Sequence, residues 1–385
     1  MSDPAERARR WRLVLGTEPE GRAGVQLSPE QQAIDAALAA LYDTAEPGER
    51  GAGLESSVPK VARWLGDIRT YFPTRVVRVL QADAVERLGL KRLLLEPELL
   101  STVEPDVHLV ATLASLRGVI PEKSKATARE VVARVVREVE ARLADRMRQA
   151  VHGALNRANR VSRPRAGDID WNRTVQANLK HYQPEYGTVV PERLIGFGRR
   201  QRGVQREVVL CVDESGSMAS SVVYASIFAS VMASIRALAT HLVVYDTAVV
   251  DLTDQLGDPV DVIFGTQLGG GTDTTPALEH CQRLITSPRQ TILLLISDLY
   301  DSDPPRMLAR IADLKAAGVA VVVLLALSDD GKPSYSAEVA QSLAELGVPA
   351  FACTPDAFPE LIALAISHGD IGAWAQRNEA AAAHG

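Results

Sequence analysis

After Glu207 the chain settles into a rhythm that leaves few folds open to it: short β-branched apolar runs alternate with stretches of helical periodicity. The runs are VVLCVD, LVVYD, AVVDL, TILLLISD, VAVVVLLAL and VPAFACT, and helical patterns occupy residues 220–238, 275–286, 304–317, 336–346 and 356–367. A strand that is apolar at every position must be covered on both faces, and the intervening helices supply the cover. This predicts an α/β domain over residues 207–385 with a mostly parallel sheet. AVVDL follows LVVYD too closely for a crossover helix, so it is expected as an antiparallel hairpin at the sheet edge. The total is six strands flanked by helices.

Residues 1–160 carry the other period and predict an all-α region. In LSPEQQAIDAALAALYD, Ser28 suits a helix cap and Pro29 the first helical position. Further helices are expected at residues 58–72 and 75–98, separated by Pro73. The longest signal runs from Ser124 to Asn159, where Val132, Val135, Val136, Val139, Leu143, Met147 and Val151 recur three or four residues apart beneath an arginine-rich face. Residues 161–206 break this pattern and read as a structured connector. Trp171, Leu179, Tyr182, Leu194 and Phe197 there offer apolar area for docking on a neighbour. At 385 residues the chain has room for both regions.

The formal net charge of −6 conceals an asymmetry. Lys123–Arg206 holds 19 basic and 8 acidic residues, whereas residues 207–385 hold 22 acidic and 8 basic ones. A uniform nucleic-acid coat does not fit such polarity. The start of the chain, MSDPAERARRWRLVLG, has scattered charges and no apolar stretch of signal-peptide or membrane-helix length, so a cytoplasmic protein is expected. Cys211, Cys281 and Cys353 are odd in number, far apart and set in apolar surroundings, as buried free thiols are.

In an open parallel sheet, ligands bind beyond the carboxyl ends of the strands. Three chain segments place oxygen donors there. VVLCV runs into Asp213-Glu214-Ser215-Gly216-Ser217; Gly269-Gly270-Gly271 leads to Thr272; and the most apolar strand closes on Ser297-Asp298. Two carboxylates with three hydroxyls make an all-oxygen set suited to a hard divalent cation, Mg²⁺ above all, with Mn²⁺ or Ca²⁺ as alternatives. Glu214 and Asp273, beside the pattern, read as solvent-facing loop residues.

The DxSxS pattern at Asp213, Ser215 and Ser217, the GGT-xxxx-AL pattern from Thr272 to Leu278, and Asp298 together resemble the metal-ion-dependent adhesion site of von Willebrand factor A (VWA) domains. The resemblance covers about residues 207–370 and implies a Rossmann-like VWA fold. Ser215, Ser217 and Thr272 would then ligate an ion through hydroxyls, with Asp213 and Asp298 acting directly or through water. The family often has Gly after the last Asp; this chain has Leu299, followed by Asp301 and Asp303.

DWNRTVQANLKHY, GTVVPERLIGFGRRQR and VVLCVDESGSM further resemble the bacterial CoxE-like branch, in which a helical region precedes a C-terminal A domain. That resemblance implies a partnership with a MoxR-type AAA+ ATPase and a role in remodelling or maturing a client protein. The alternative is a ribonucleoprotein-associated VWA protein that binds RNA through its basic helical region. Catalysis is not expected: the chain has no GxxxxGK[ST] loop or HExxH, and ESGSM lacks the first Gly of a GxSxG elbow.

Overall fold

A computed structural model describes residues 27–42, 58–87, 103–158, 169–197, 206–266, 271–328 and 333–382, with the short stretches 96–97, 100 and 160–161. The chain forms two compact units, residues 1–137 and 138–385, and the division falls within one long helix.

In the first unit the helices Pro29–Tyr42, Val58–Tyr71 and Thr74–Arg87 pack on one another. Ser28 caps as expected: its hydroxyl accepts the Gln31 N–H at 3.2 Å while its own N–H donates to the Gln31 side chain at 3.1 Å. Val61, Trp64, Leu65 and Ile68 form the buried stripe of the second helix, and the Trp64 indole donates to the Ala37 carbonyl. The third helix is described as far as Arg87; the remainder of the expected 75–98 segment lies largely outside the described residues. Asp106 caps the helix Val107–Ser115 by accepting from Leu109 N–H.

The long helix spans Glu122–Ala158, and every one of the apolar positions read from the sequence is buried. Its arginine face is partly ion-paired within the second unit, Arg146 with Asp356 at 3.0 Å and Arg148 with Asp145 at 3.2 Å. Next come two small two-stranded sheets. β1 (Arg160–Val161) pairs antiparallel with β4 (Gly196–Phe197), and β2 (Tyr182–Gln183) with β3 (Thr188–Val189). A short helix, Trp171–Ala177, precedes the second hairpin. Trp171, Leu179 and Tyr182 do not dock inward as their size suggests; they are exposed.

The main sheet has the six expected strands: β5 (Arg206–Asp213), β6 (Leu238–Tyr245), β7 (Val249–Asp251), β8 (Thr291–Ile296), β9 (Ala320–Leu327) and β10 (Ala350–Cys353). Their order is β10-β9-β8-β5-β6-β7, all parallel except β7, which is the antiparallel edge hairpin. Alternate residues face opposite layers. Val209, Cys211, Val243, Leu293, Leu295 and Val323 meet Leu278, Cys281, Met307, Ile311 and Leu343 from the helices Thr274–Leu284, Pro304–Ala316 and Ala337–Glu345. The helix Ala219–Ala233 packs against β5, β6 and β9 and stacks Phe228 on Phe358 of the helix Phe358–Ile366, ring centroids 4.3 Å apart.

Gly216–Ala233 is long and apolar enough to cross a membrane by composition, yet 72% of it is buried within the fold, as a helix apolar on all sides must be. All three cysteines are buried free thiols.

Candidate functional site

β5 is flanked by β6 on one side and β8 on the other, so the chain reverses its direction of sheet growth beside β5. Asp213 pairs in register with Tyr245, and Val212 with Ile296. The loops that follow Asp213 and Ile296 therefore open side by side at the crevice where α/β sheets bind ligands.

Hydrogen bonds link the first and third segments into one cluster. Asp213 accepts the Ser215 N–H at 2.8 Å on one oxygen and the Ser297 hydroxyl at 2.9 Å on the other. The Ser215 and Ser217 hydroxyls are 3.2 Å apart, and Ser217 donates to Asp298 at 2.6 Å. Four of the five predicted donors, Asp213, Ser215, Ser217 and Asp298, are thus gathered although 81 residues separate Ser217 from Asp298.

Thr272 arrives on the middle segment, which is tied through its backbone to the loop after β8 and to Asp246, just past the end of β6. The Thr272 carbonyl accepts Ser302 N–H at 3.0 Å, Thr274 N–H donates to Asp301 at 2.7 Å, and Asp273 N–H donates to the Asp246 carbonyl at 2.9 Å. The Thr272 side chain is half-buried, and among the described residues its hydroxyl has no hydrogen-bond partner. Asp273 caps the helix Thr274–Leu284 by accepting Thr275 N–H. That helix begins one residue before the expected 275–286 pattern and ends two residues short of it.

Several participants had a weak or misleading sequence signal. Glu214, read as solvent-facing, is 2% exposed because its N–H extends the strand pairing to the Tyr245 carbonyl. Tyr245 is fully buried, accepts from Thr274 through its hydroxyl, and has its phenol pushed well up first by burial and then by the Asp213 charge. A tyrosine inside the run LVVYD was the available clue. Asp301 binds the middle segment, as described, and also accepts from Asp303 N–H.

Leu299 holds the left-handed conformation (φ +64°) at the position where the resembled family often has Gly. Such a φ costs a non-glycine residue about 1–2 kcal/mol. The cost is offset by burial of the Leu299 side chain, only 1% exposed, and by donation from its N–H to Ser297. The same backbone turn leaves Tyr300 54% exposed beside Asp298, its hydroxyl 3.1 Å from that of Ser334.

The electrostatics are one-sided. Asp213 and Asp298 are both buried, and among the described residues neither is ion-paired to a lysine or arginine. Burial raises the Asp213 pKa; the Ser215 N–H and Ser297 hydroxyl oppose the shift, and the Asp298 charge adds to it. The described residues contain no group of three or more His, Cys, Asp or Glu placed to hold a metal. A set of two carboxylates with serine and threonine hydroxyls does not need one, and its uncompensated negative charge fits a single hard cation.

Residues 143–362 match the family model described as a VWA domain containing CoxE-like protein. The uncharacterized protein YehP of Escherichia coli strain K12 is 34% identical over 352 residues, spanning 90% of this chain and 93% of that protein. Among solved structures, an aerotolerance-related membrane protein from Bacteroides fragilis is 15% identical over 42% of this chain and 98% of its own, with a TM-score of 0.32. The von Willebrand factor type A structure from Catenulispora acidiphila is also 15% identical, over 42% of each chain, with a TM-score of 0.32. The C-terminal domain is a Rossmann-like VWA fold, and the chain belongs to the CoxE-like proteins that contain a VWA domain.

Proposed function

We propose that this protein is a metal-dependent docking module rather than an enzyme. Asp213, Ser215, Ser217, Thr272 and Asp298 would hold one Mg²⁺, whose remaining coordination position would take an acidic side chain of a partner protein. The observation that carries this reading is the pair of buried carboxylates, linked through Ser217 and Ser215 and lacking an ion-pair partner among the described residues.

The balance of donors supports binding over chemistry. Hydroxyls are neutral ligands, so two carboxylates leave net positive charge on a divalent ion, which supplies an attraction for a carboxylate. Among the described residues, the groups that hydrogen-bond Asp213 and Asp298 are serine hydroxyls and main-chain N–H groups, with no histidine or lysine to serve as a base. Exposed Tyr300 gives the rim an apolar surface against which such a contact could be shielded from water.

Family resemblance supplies the partner class: a cytoplasmic MoxR-type AAA+ ATPase would contribute hydrolysis, and this chain recognition of a client to be remodelled or matured. The test is capture of a purified MoxR-type ATPase from the same genome on immobilised full-length protein, with Mg²⁺ and with chelator, alongside Mg²⁺ calorimetry. The reading expects metal binding and metal-dependent capture, both lost in Asp213→Ala. Capture that persists in chelator, or a wild-type protein that takes up no divalent ion, would sink it.

A further inference from the structure

The Tyr245 hydroxyl lies where the three segments of the candidate site meet. Tyr245 ends β6, is fully buried, and accepts from the Thr274 hydroxyl at 3.0 Å. The same phenol oxygen is hydrogen-bonded to the Ser297 hydroxyl, which in turn reaches Asp213 at 2.9 Å. Thr274, Ser297 and Asp213 are fully buried as well, so the whole run from Thr274 to Asp213 is out of water.

The carboxylate fixes the direction of this run. A metal ligand must be ionised, and an ionised Asp213 can only accept, so the single Ser297 hydroxyl proton goes to it. Ser297 then has only lone pairs left, which take the Leu299 N–H at 3.0 Å and the Tyr245 proton. With its own proton committed to Ser297, Tyr245 accepts from Thr274. Each hydroxyl donates once, and successive donations polarise one another toward the buried charge.

Thr274 stands two residues from Thr272, the fifth predicted donor, whose hydroxyl has no partner among the described residues. Backbone bonds hold this segment to Asp246 and to the loop after β8. The run through Tyr245 adds a tie that ends on the Asp213 carboxylate itself. Such a tie bears on which ion fits. Mg²⁺ demands a near-ideal octahedron of oxygens at about 2.0–2.1 Å, whereas Ca²⁺ accepts irregular shells at about 2.3–2.6 Å. Donors locked to within about 0.5 Å suit the smaller ion, and donors free to spread suit the larger.

We propose that Tyr245 is a positioning residue that sets a preference of the candidate site for Mg²⁺ over Ca²⁺, by locking the Thr272 segment to the Asp213 carboxylate through Thr274 and Ser297. Tyr245 is not itself a ligand. The proposal rests on the metal-docking reading and concerns the selectivity of the same site.

Calorimetry of the full-length protein with Mg²⁺ and with Ca²⁺ tests it. Tyr245→Phe keeps the ring and removes the oxygen. It should weaken Mg²⁺ at least tenfold and Ca²⁺ less than threefold, with urea unfolding of the metal-free protein reporting that the fold is retained. Thr274→Val, which exchanges the donor hydroxyl for a methyl, should do the same, and Thr274→Ser should restore the parental ratio of affinities. Both changes cut one run, so Tyr245→Phe/Thr274→Val should bind Mg²⁺ no more weakly than the weaker single variant. Should Tyr245→Phe fail to fold, the two Thr274 variants decide alone. Equal losses for the two ions, additive losses in the double variant, or parental Mg²⁺ affinity without either hydroxyl would overturn the inference and leave the docking reading standing. A parent protein that takes up neither ion would end the docking reading, and this inference with it.

Discussion

One strand, β5, carries a buried carboxylate at each end, and the two are treated in opposite ways. At the amino end Glu207 is enclosed by donors: Thr286 N–H and hydroxyl, Ser287 N–H and the Thr291 hydroxyl all reach it. Burial pushes its pKa up, yet these hydrogen bonds outweigh burial and hold it below the ordinary range. At the carboxyl end Asp213 has the Ser215 N–H and the Ser297 hydroxyl, with Asp298 as a negative neighbour, and its pKa rises. Glu207 is a finished structural anchor tying β5 to the start of β8. Asp213 is left at the rim with fewer donors and a negative neighbour, an imbalance that the proposed cation would relieve.

Substitutions at the two ends should separate these roles. The largest effect expected is on ion binding: Asp213→Ala should lower Mg²⁺ affinity at least a hundredfold by calorimetry, while Glu207→Ala leaves it within twofold. Comparable losses in both would erase the contrast. Next, Glu207→Ala should cost about 1–2 kcal/mol of stability in urea unfolding, because it removes the shared acceptor of four hydrogen bonds, of which only the one from the Thr291 hydroxyl comes from a buried residue. Leu299→Gly should cost about 1–2 kcal/mol, since relief of the left-handed backbone recovers only part of the buried leucine's contribution. A gain in stability there would show that strain, not packing, dominates the loop.

The smallest effect is in pH dependence. Glu207 has a folded pKa below its unfolded one, so its contribution is fully present above the ordinary carboxylate range, about 4, and fades as pH falls through the folded value. Urea midpoints of Glu207→Gln should therefore fall off less steeply with acid than those of the parent. Asp213 has the opposite sign: its raised folded pKa means that ionisation opposes folding of the metal-free protein at neutral pH. Asp213→Asn should raise the metal-free midpoint at pH 7 and leave the most acidic midpoints unchanged.

The sheet was legible because β5, β8 and β9 are apolar at nearly every position, a pattern that has few other uses. β6 read short, as LVVYD alone, because Thr240 and His241 interrupt its apolar run; it begins at Leu238, and the helix expected to reach residue 238 stops at Ala233. The helices Pro259–Gly265 and Ile371–Ala382 had no strong signal, the first being only two turns long and the second largely alanine. For the candidate site, spacing identified Asp213, Ser215, Ser217 and Asp298 as neighbours. It was silent on Tyr245 and Asp301, whose parts are set by register and loop path. In the connector, apolar size suggested burial, and the outcome was reversed: Thr174 and Asn178 are the buried residues, hydrogen-bonded to the main chain of Glu192, Arg193 and Ile195.

The placement of β8 directly beside β5 has a consequence for biogenesis. β6 and β7 are made first and add to one side of β5, so a nascent chain can hold Asp213, Ser215 and Ser217 at a strand end long before Asp298 exists. The rim is completed only when β8, synthesised some 80 residues later, slots into the remaining edge of β5. Any activity that depends on the joined rim is therefore withheld from partly made or truncated chains, and becomes available only to molecules whose central strand has acquired both neighbours.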